Sequence, residues 1–484
     1  MMLRTMEKFS RTRGRGGAPD SCGPRPALRR VLGVTDGAAI VIGISIGVGI
    51  YTTPRIIAGY LDYFPLVITL WLAVGLVTLI GSFVYAELGT RLPETGGEYL
   101  YIRSALDPFA GFMLGWAQFI IVHTGSTAGV TLIAAEYLGY FVRLSPGGQA
   151  AAAVAIIACL GMVNWLGIKR ASILQKSLAV LKVAGIAVLI LSGLVLFRGY
   201  ATGGGTSPAA SGAVAAGNLV RAVMMIFFTY GGWTRVGYVA GEIRNPGRVI
   251  PASLLLGVGT VITANVLANV AYFRVLGMEG MARSTMLASD LALSTMGPAG
   301  AGLVAAFVIL SALGTANGIV MSAPRGYYAM ARDGSLPRWL DDVSPRFRTP
   351  ARAIVAHCCW SGVLILARGK FETIVAGRVF GRLLSYTVST IALLRLRKSK
   401  AGEGKAWRMP WHRFLPVFFL VCVLLFIAFR CAVAWRESLV DLALIASGLP
   451  FWLFHFRRTA ERGRAQSAPG GRPAPDDQPD RPNH

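Results

Sequence analysis

Long uninterrupted apolar blocks constrain this chain more than any other feature. Several run for 18 or more residues with few or no charges, the length that carries a helix across about 30 Å of hydrocarbon. In that solvent every backbone amide and carbonyl must find its partner inside the protein, and a helix supplies those partners within the segment. The composition agrees. Only 15% of residues are charged and 54% are hydrophobic, whereas a soluble domain carries about 25% charged residues. The mean hydropathy is +0.56. The chain therefore reads as an all-α integral membrane protein.

Twelve spans fit the pattern, near 33–58, 64–88, 108–142, 150–168, 172–197, 218–241, 250–275, 300–331, 352–368, 372–395, 413–434 and 438–456. The formal net charge of +25 invites a nucleic-acid reading, but its distribution argues otherwise. Eight basic residues lie between Arg4 and Arg30, six between Arg325 and Arg352, and seven between Arg395 and Arg413. More follow Phe456. All these clusters flank apolar segments on one side, the positive-inside pattern, so both termini are expected in the cytoplasm and no nucleic-acid partner is expected. Residues 1–32 read as a basic tail and 457–484 as a disordered one, rich in Pro, Gly and charge. The six cysteines and five histidines show no disulfide framework and no metal spacing, so neither metal nor cofactor is expected. The first apolar block is too long for a signal peptide.

Two spans carry glycine where a helix interior disfavours it by about 1 kcal/mol per residue. The first contains Gly43-Ile44-Ser45-Ile46-Gly47-Val48-Gly49-Ile50, and the sixth contains Phe228-Thr229-Tyr230-Gly231-Gly232-Trp233. Taken alone, Gly43 and Gly47 could be a close helix-packing face. The matching interruption five spans later points to an inverted repeat with broken helices.

At this point the residues resemble a known family. The first span is similar to the glycine signature of the amino acid–polyamine–organocation superfamily. Tyr85-Ala86-Glu87-Leu88-Gly89-Thr90-Arg91-Leu92-Pro93-Glu94-Thr95-Gly96-Gly97-Glu98-Tyr99 resembles that family's second motif. Tyr230-Gly231-Gly232-Trp233 with Glu242-Ile243-Arg244-Asn245-Pro246 resembles a third, and Pro324-Arg325-Gly326-Tyr327-Tyr328-Ala329-Met330-Ala331-Arg332-Asp333-Gly334 a fourth. Within the superfamily the chain looks most like L-type amino-acid transporters and their bacterial relatives. The resemblance implies a LeuT-type fold, with five-helix repeats at 33–197 and 218–395 and two added helices at 413–456. It implies an amino-acid substrate held at the midplane between the breaks of spans one and six.

The chemistry suits such a ligand. An opened helix bares amides that attract a carboxylate and carbonyls that attract an ammonium, and glycine lets the ligand approach the backbone. The carboxylate cradle is expected at Ser45, Gly47, Val48 and Gly49. The amine is expected at the carbonyls of Ile42 and Gly43, with Phe228, Thr229 and Gly231 from span six. Phe228 resembles the aromatic gate of this family, and its bland alternative is an ordinary packing phenylalanine.

Lys182 lies about ten residues into span five, roughly 15 Å of helix from the near end, too deep to reach the interface easily. It resembles a lysine that L-type transporters carry where sodium-coupled relatives bind Na⁺. There its ammonium would replace the cation and touch span-one carbonyls and a span-eight hydroxyl, here Ser311. The alternative is a lysine lining a wet cavity.

Span ten departs from the family with Arg378 and Arg382. Either Arg382 faces the transport path and favours an acidic or strongly polar side chain, or it pairs with another helix. Arg235 reads as a gate on the cytoplasmic side or as the partner of an acid such as Glu242. Glu87, Glu94 and Glu98 read as loop anchors. His123 either lines the pocket or is a satisfied interior histidine.

The expected function is secondary or exchange transport of amino acids by alternating access, independent of sodium, in the plasma membrane. A proton-coupled permease for cationic amino acids or amines is the second transport reading, and a membrane sensor on a transporter scaffold is the different class. An enzyme is not expected, because no catalytic constellation falls in register at membrane depth. Lipid surrounds the chain. The loop at 143–149 lacks the cysteine that animal L-type light chains use to bond a glycoprotein, so no disulfide-linked heavy chain is expected, and the chain is read as a monomer or weak homo-oligomer.

Overall fold

The computed structural model describes residues 30, 32–94, 96–197, 216–368, 371–400, 402–433 and 435–454. The expected tails lie outside the described residues apart from Arg30 and Leu32. The described residues are helical, and the one β-type contact among them is a parallel bridge between Leu32 and Ile243.

The first half comprises α1 (Val34–Ser45), α2 (Gly49–Ala58), α3 (Phe64–Arg91), α4 (Glu98–Ala105) and α5 (Pro108–Ala117), which runs through a π-helical segment, Gln118–His123, into α6 (Thr124–Leu138). Then come α7 (Pro146–Trp165) and α8 (Ile168–Leu191). The second half comprises α9 (Ala216–Tyr230), a 3₁₀ helix (Trp233–Glu242), α10 (Pro246–Arg283), α11 (Leu287–Arg332), α12 (Ala351–Arg368) and α13 (Phe371–Lys398). Two further helices, α14 (Leu415–Val433) and α15 (Trp435–Ala446), complete the fold.

Among the described residues, nine helices are long and apolar enough to cross a membrane, ten when the bent pair α1–α2 counts as one span. Of the twelve expected spans, the sixth falls short because it is split into α9 and a 3₁₀ helix. The ninth falls short because its apolar stretch is only Ala351–Ala367.

Local chemistry sets the helix starts. Asp107 accepts from the Ala110 amide at 2.8 Å, and Ser145 accepts from the Gly148 amide at 3.1 Å. In both cases proline follows as the first helical residue, where its missing N–H costs nothing. Two elements fall where the sequence reads as loop. The short α4 occupies part of 89–107. In the expected loop 276–299, α10 continues past Gly277 (φ 66°) and α11 begins before Gly297 (φ 72°). A left-handed glycine redirects each helix there, so apolar segments too short to span a membrane still fold as helix.

Glycine also sets the packing. α10 lies along α3 and α1. A Cβ on Gly257 would lie 2.4 Å from Val41, and one on Gly37 would lie 2.3 Å from the Ser253 hydroxyl. At the periphery, α14 and α15 leave Val417, Val421, Leu425, Phe429, Leu439 and Leu442 exposed, as a lipid solvent permits.

At the end of the molecule that bears the basic loops, Glu87 forms a clasp. Arg397 approaches it with Nη2 at 2.6 Å and Nε at 2.8 Å, Arg91 lies at 3.2 Å, and the Met409 amide donates at 3.2 Å. The Trp407 amide donates to Thr90 at 3.1 Å. The C-termini of α3 and α13 and the following loop are thereby tied together.

Candidate functional site

The site is built where two helices stop. α1 ends at Ser45 and α2 starts at Gly49, with a bend of 40° between them. The Gly47 amide turns back to the Ser45 carbonyl at 2.8 Å, and the Ile46 amide bonds the Ile42 carbonyl at 2.8 Å. The amides of Val48, Gly49 and Ile50 and the carbonyls of Ile44, Ile46 and Gly47 have no hydrogen-bond partner among the described residues. The second stop is at Gly231–Gly232. Gly232 adopts φ 129°, and a Cβ there would lie 2.9 Å from the Ser45 hydroxyl and 3.0 Å from the Ser45 amide. The carbonyls of Thr229, Tyr230 and Gly231 and the amides of Gly232, Trp233 and Thr234 are likewise open. The two breaks thus lie against each other. In a lipid setting, such bare backbone persists only where it lines a cavity or is covered by protein.

Several sequence expectations are refined here. Ser45, Gly47, Val48 and Gly49 do sit at the first break, and the Ser45 hydroxyl has no hydrogen-bond partner among the described residues. The carbonyls of Ile42 and Gly43, expected for the amine, are engaged: the first accepts from Ile46 and the second from Lys182. The open carbonyls are those of Ile44, Ile46 and Gly47. The Thr229 side chain meets Thr53 at 2.8 Å and packs on Gly49, so it joins α9 to α2. Phe228 is buried beside the second break.

Lys182 is fully buried. Its Nζ donates to the Gly43 carbonyl at 2.6 Å and to Thr315 Oγ1 at 2.8 Å. The ammonium therefore joins α8 to the last turns of α1 and to α11. The hydroxyl it meets is Thr315, not Ser311, whose Oγ has no hydrogen-bond partner among the described residues. A Cβ on Gly47 would lie 3.3 Å from Thr315 Oγ1, so the lysine cluster abuts the first break.

A second polar cluster lies past the Gly232 turn. Glu98, buried at the start of α4, accepts from Tyr85 at 2.7 Å and from the Gln118 amide. The Tyr238 hydroxyl lies 3.1 Å from Glu98 and 2.6 Å from Gln118 Oε1. Arg235 is 1% exposed. Its guanidinium stands over the Tyr238 ring at 5.4 Å, and one nitrogen reaches Ser322 at 3.5 Å. Arg382 is 6% exposed, beside Tyr386, whose ring stacks on Trp233 at 5.2 Å. The side chains of Glu242 and Arg378 lie outside the described residues.

His123, at the end of the π-helical segment, faces a network that sequence reading did not anticipate. Tyr327 lies 3.4 Å from Nδ1 of His123 and 3.4 Å from Nδ1 of His357, and His357 Nε2 lies 2.9 Å from Thr127. Glu98, Gln118, Tyr238 and His357 were not singled out as site residues. For Gln118, Tyr238 and His357 the signal, a polar group inside an apolar block, was present but shared by many others, and Glu98 stood in a stretch that reads as loop.

Comparison with known proteins yields a match to the amino acid permease family over residues 32–445. The chain is 28% identical to the human b(0,+)-type amino acid transporter 1 over 431 residues, which covers 88% of each chain. It is 27% identical to the serine/threonine exchanger SteT of Bacillus subtilis over 393 residues, 81% of this chain and 88% of the relative. It is 25% identical to the human cystine/glutamate transporter over 439 residues, 88% of this chain and 85% of the relative.

Proposed function

Because the chain belongs to the amino acid permease family, a transporter family of the amino acid–polyamine–organocation superfamily, we propose that it moves amino acids by sodium-independent alternating access, as an exchanger or facilitator. The observation that carries this reading is the pair of facing breaks with a buried lysine against the first. The open amides of Val48, Gly49 and Ile50, with the Ser45 hydroxyl, suit the substrate carboxylate. The open carbonyls of Ile44, Thr229 and Gly231 suit its ammonium. Lys182 supplies a fixed positive charge between the Gly43 carbonyl and Thr315, the ligand types a sodium ion would take. The relatives' names support an amino-acid cargo. The basic end faces the cytoplasm on this reading, in the plasma membrane.

The test is uptake of radiolabelled amino acids into proteoliposomes. Uptake is expected to persist unchanged when choline replaces sodium. Collapse of uptake on that replacement refutes the sodium-independent mechanism. One observation favours a proton-linked variant of the same function: Tyr327, with one proton to give, sits between two histidine nitrogens. An inward pH gradient that drives accumulation would establish it, and uptake indifferent to the gradient would remove it.

A further inference from the structure

Among the described residues the second polar cluster does not balance its charges. Arg235 and Arg382 are both buried, and they lie close enough to repel each other. Among the described residues neither has a carboxylate in ion-pair reach, and Nε of Arg235 and both Nε and Nη1 of Arg382 have no hydrogen-bond partner. The contrast with Arg430 is direct, since that buried arginine has Asp441 at 2.9 Å. Glu98 is the one acid in the cluster among the described residues, and its oxygens are taken by Tyr85, Gln118 and Tyr238. Tyr85 and the Gln118 amide donate to it, as an ionised carboxylate requires, while the single Tyr238 proton is shared with Gln118 Oε1. Among the described residues, two cations against one anion leave one positive charge uncompensated in a region of low dielectric. An uncompensated buried charge is costly and persists where something of opposite sign visits.

The cluster is also placed to be visited. Arg235 stands three residues beyond Gly232, at the second break. Trp233, between them, stacks on Tyr386, one helical turn along from Arg382. Arg235 thus follows the second break directly in the chain, and Arg382 lies one helical turn from the ring on which the first residue past that break stacks.

We propose that Arg235 and Arg382 form an anion subsite that takes the side-chain carboxylate of an acidic amino acid, making aspartate- and glutamate-like compounds the preferred cargo. Their free N–H groups offer the planar, forked donors that match a carboxylate. This inference rests on the transport reading above. It adds the substrate class.

The experiment compares glutamate with glutamine, which has nearly the same shape and lacks the charge. The full chain is reconstituted in proteoliposomes, and labelled glutamate, glutamine and leucine are each followed. Glutamate is expected to enter, and to be displaced by unlabelled glutamate or aspartate at concentrations about 10- to 100-fold below those needed for glutamine. Arg382→Gln is expected to erase most of that preference, and Arg382→Lys to keep part of it. Glutamine or leucine uptake in the same vesicles reports whether each variant is folded. For a variant that carries nothing, thermal stabilisation of the purified wild-type protein by glutamate over glutamine decides instead. Wild-type protein that carries glutamine or leucine in preference to glutamate overturns the subsite and leaves the transport reading standing. So does a folded Arg382→Gln protein with an unchanged glutamate-to-glutamine ratio. Failure to carry any amino acid overturns both.

Discussion

At Lys182 the chemistry turns on single hydrogen bonds. Removing the ammonium strands the Gly43 carbonyl and the Thr315 hydroxyl, and each stranded buried group costs about 1–3 kcal/mol. Lys182→Ala is expected to lower uptake at least tenfold while the protein still inserts and elutes as one species. Thr315→Val is expected to reduce uptake severalfold and Ser311→Ala to leave it nearly unchanged, which uptake rates at equal protein density would show. The reverse order would return the role to Ser311. Lys182 was legible in the sequence, as an ammonium among Leu181 and Val183 deep in a span. Its partner was not. Ser311 and Thr315 stand four residues apart on one face of α11, and only the rise of one turn, about 5.4 Å, separates them. Arg382 was legible as a mid-depth cation. The proximity of Arg235 was not, because it depends on how two distant elements pack.

At the scale of elements, the breaks were readable because glycine is costly inside a helix and tolerated where a helix must stop. Gly232 is the sharper case. Its φ of 129° suits no side chain, and a Cβ would press on the Ser45 amide at 3.0 Å. Gly232→Ala is therefore expected to abolish uptake, and thermal stabilisation of the purified variant by substrate should disappear with it. An active Gly232→Ala protein would mean that the two breaks do not need their close approach. The π-helical turn at Gln118–His123 had no sequence signature, because one extra residue in a turn leaves hydrophobic periodicity almost unchanged. The short α4 escaped for a related reason. Eight residues are too few to show a period against the apolar background.

Across the whole molecule, the clasp on Glu87 ties α3, α13 and the loop after it at the basic end. Breaking one side of a buried ion pair typically costs about 3–5 kcal/mol, since the remaining charge stays in low dielectric. Glu87→Gln is expected to lower the melting temperature in detergent while leaving substrate selectivity intact. A variant that melts like the wild type would show that the clasp is dispensable. Sequence identified Glu87 as an anchor but could not name Arg397, 310 residues away. The lysine against the first break has a consequence at this scale too. A cation bonded to the chain stands in its place whether or not either bath holds sodium, so on the proposed reading a sodium gradient has nothing to act through at this spot. The work of concentrating cargo would then come from a second solute moving the other way, from protons or from the membrane voltage, and where that second solute is an amino acid the cell trades one for another.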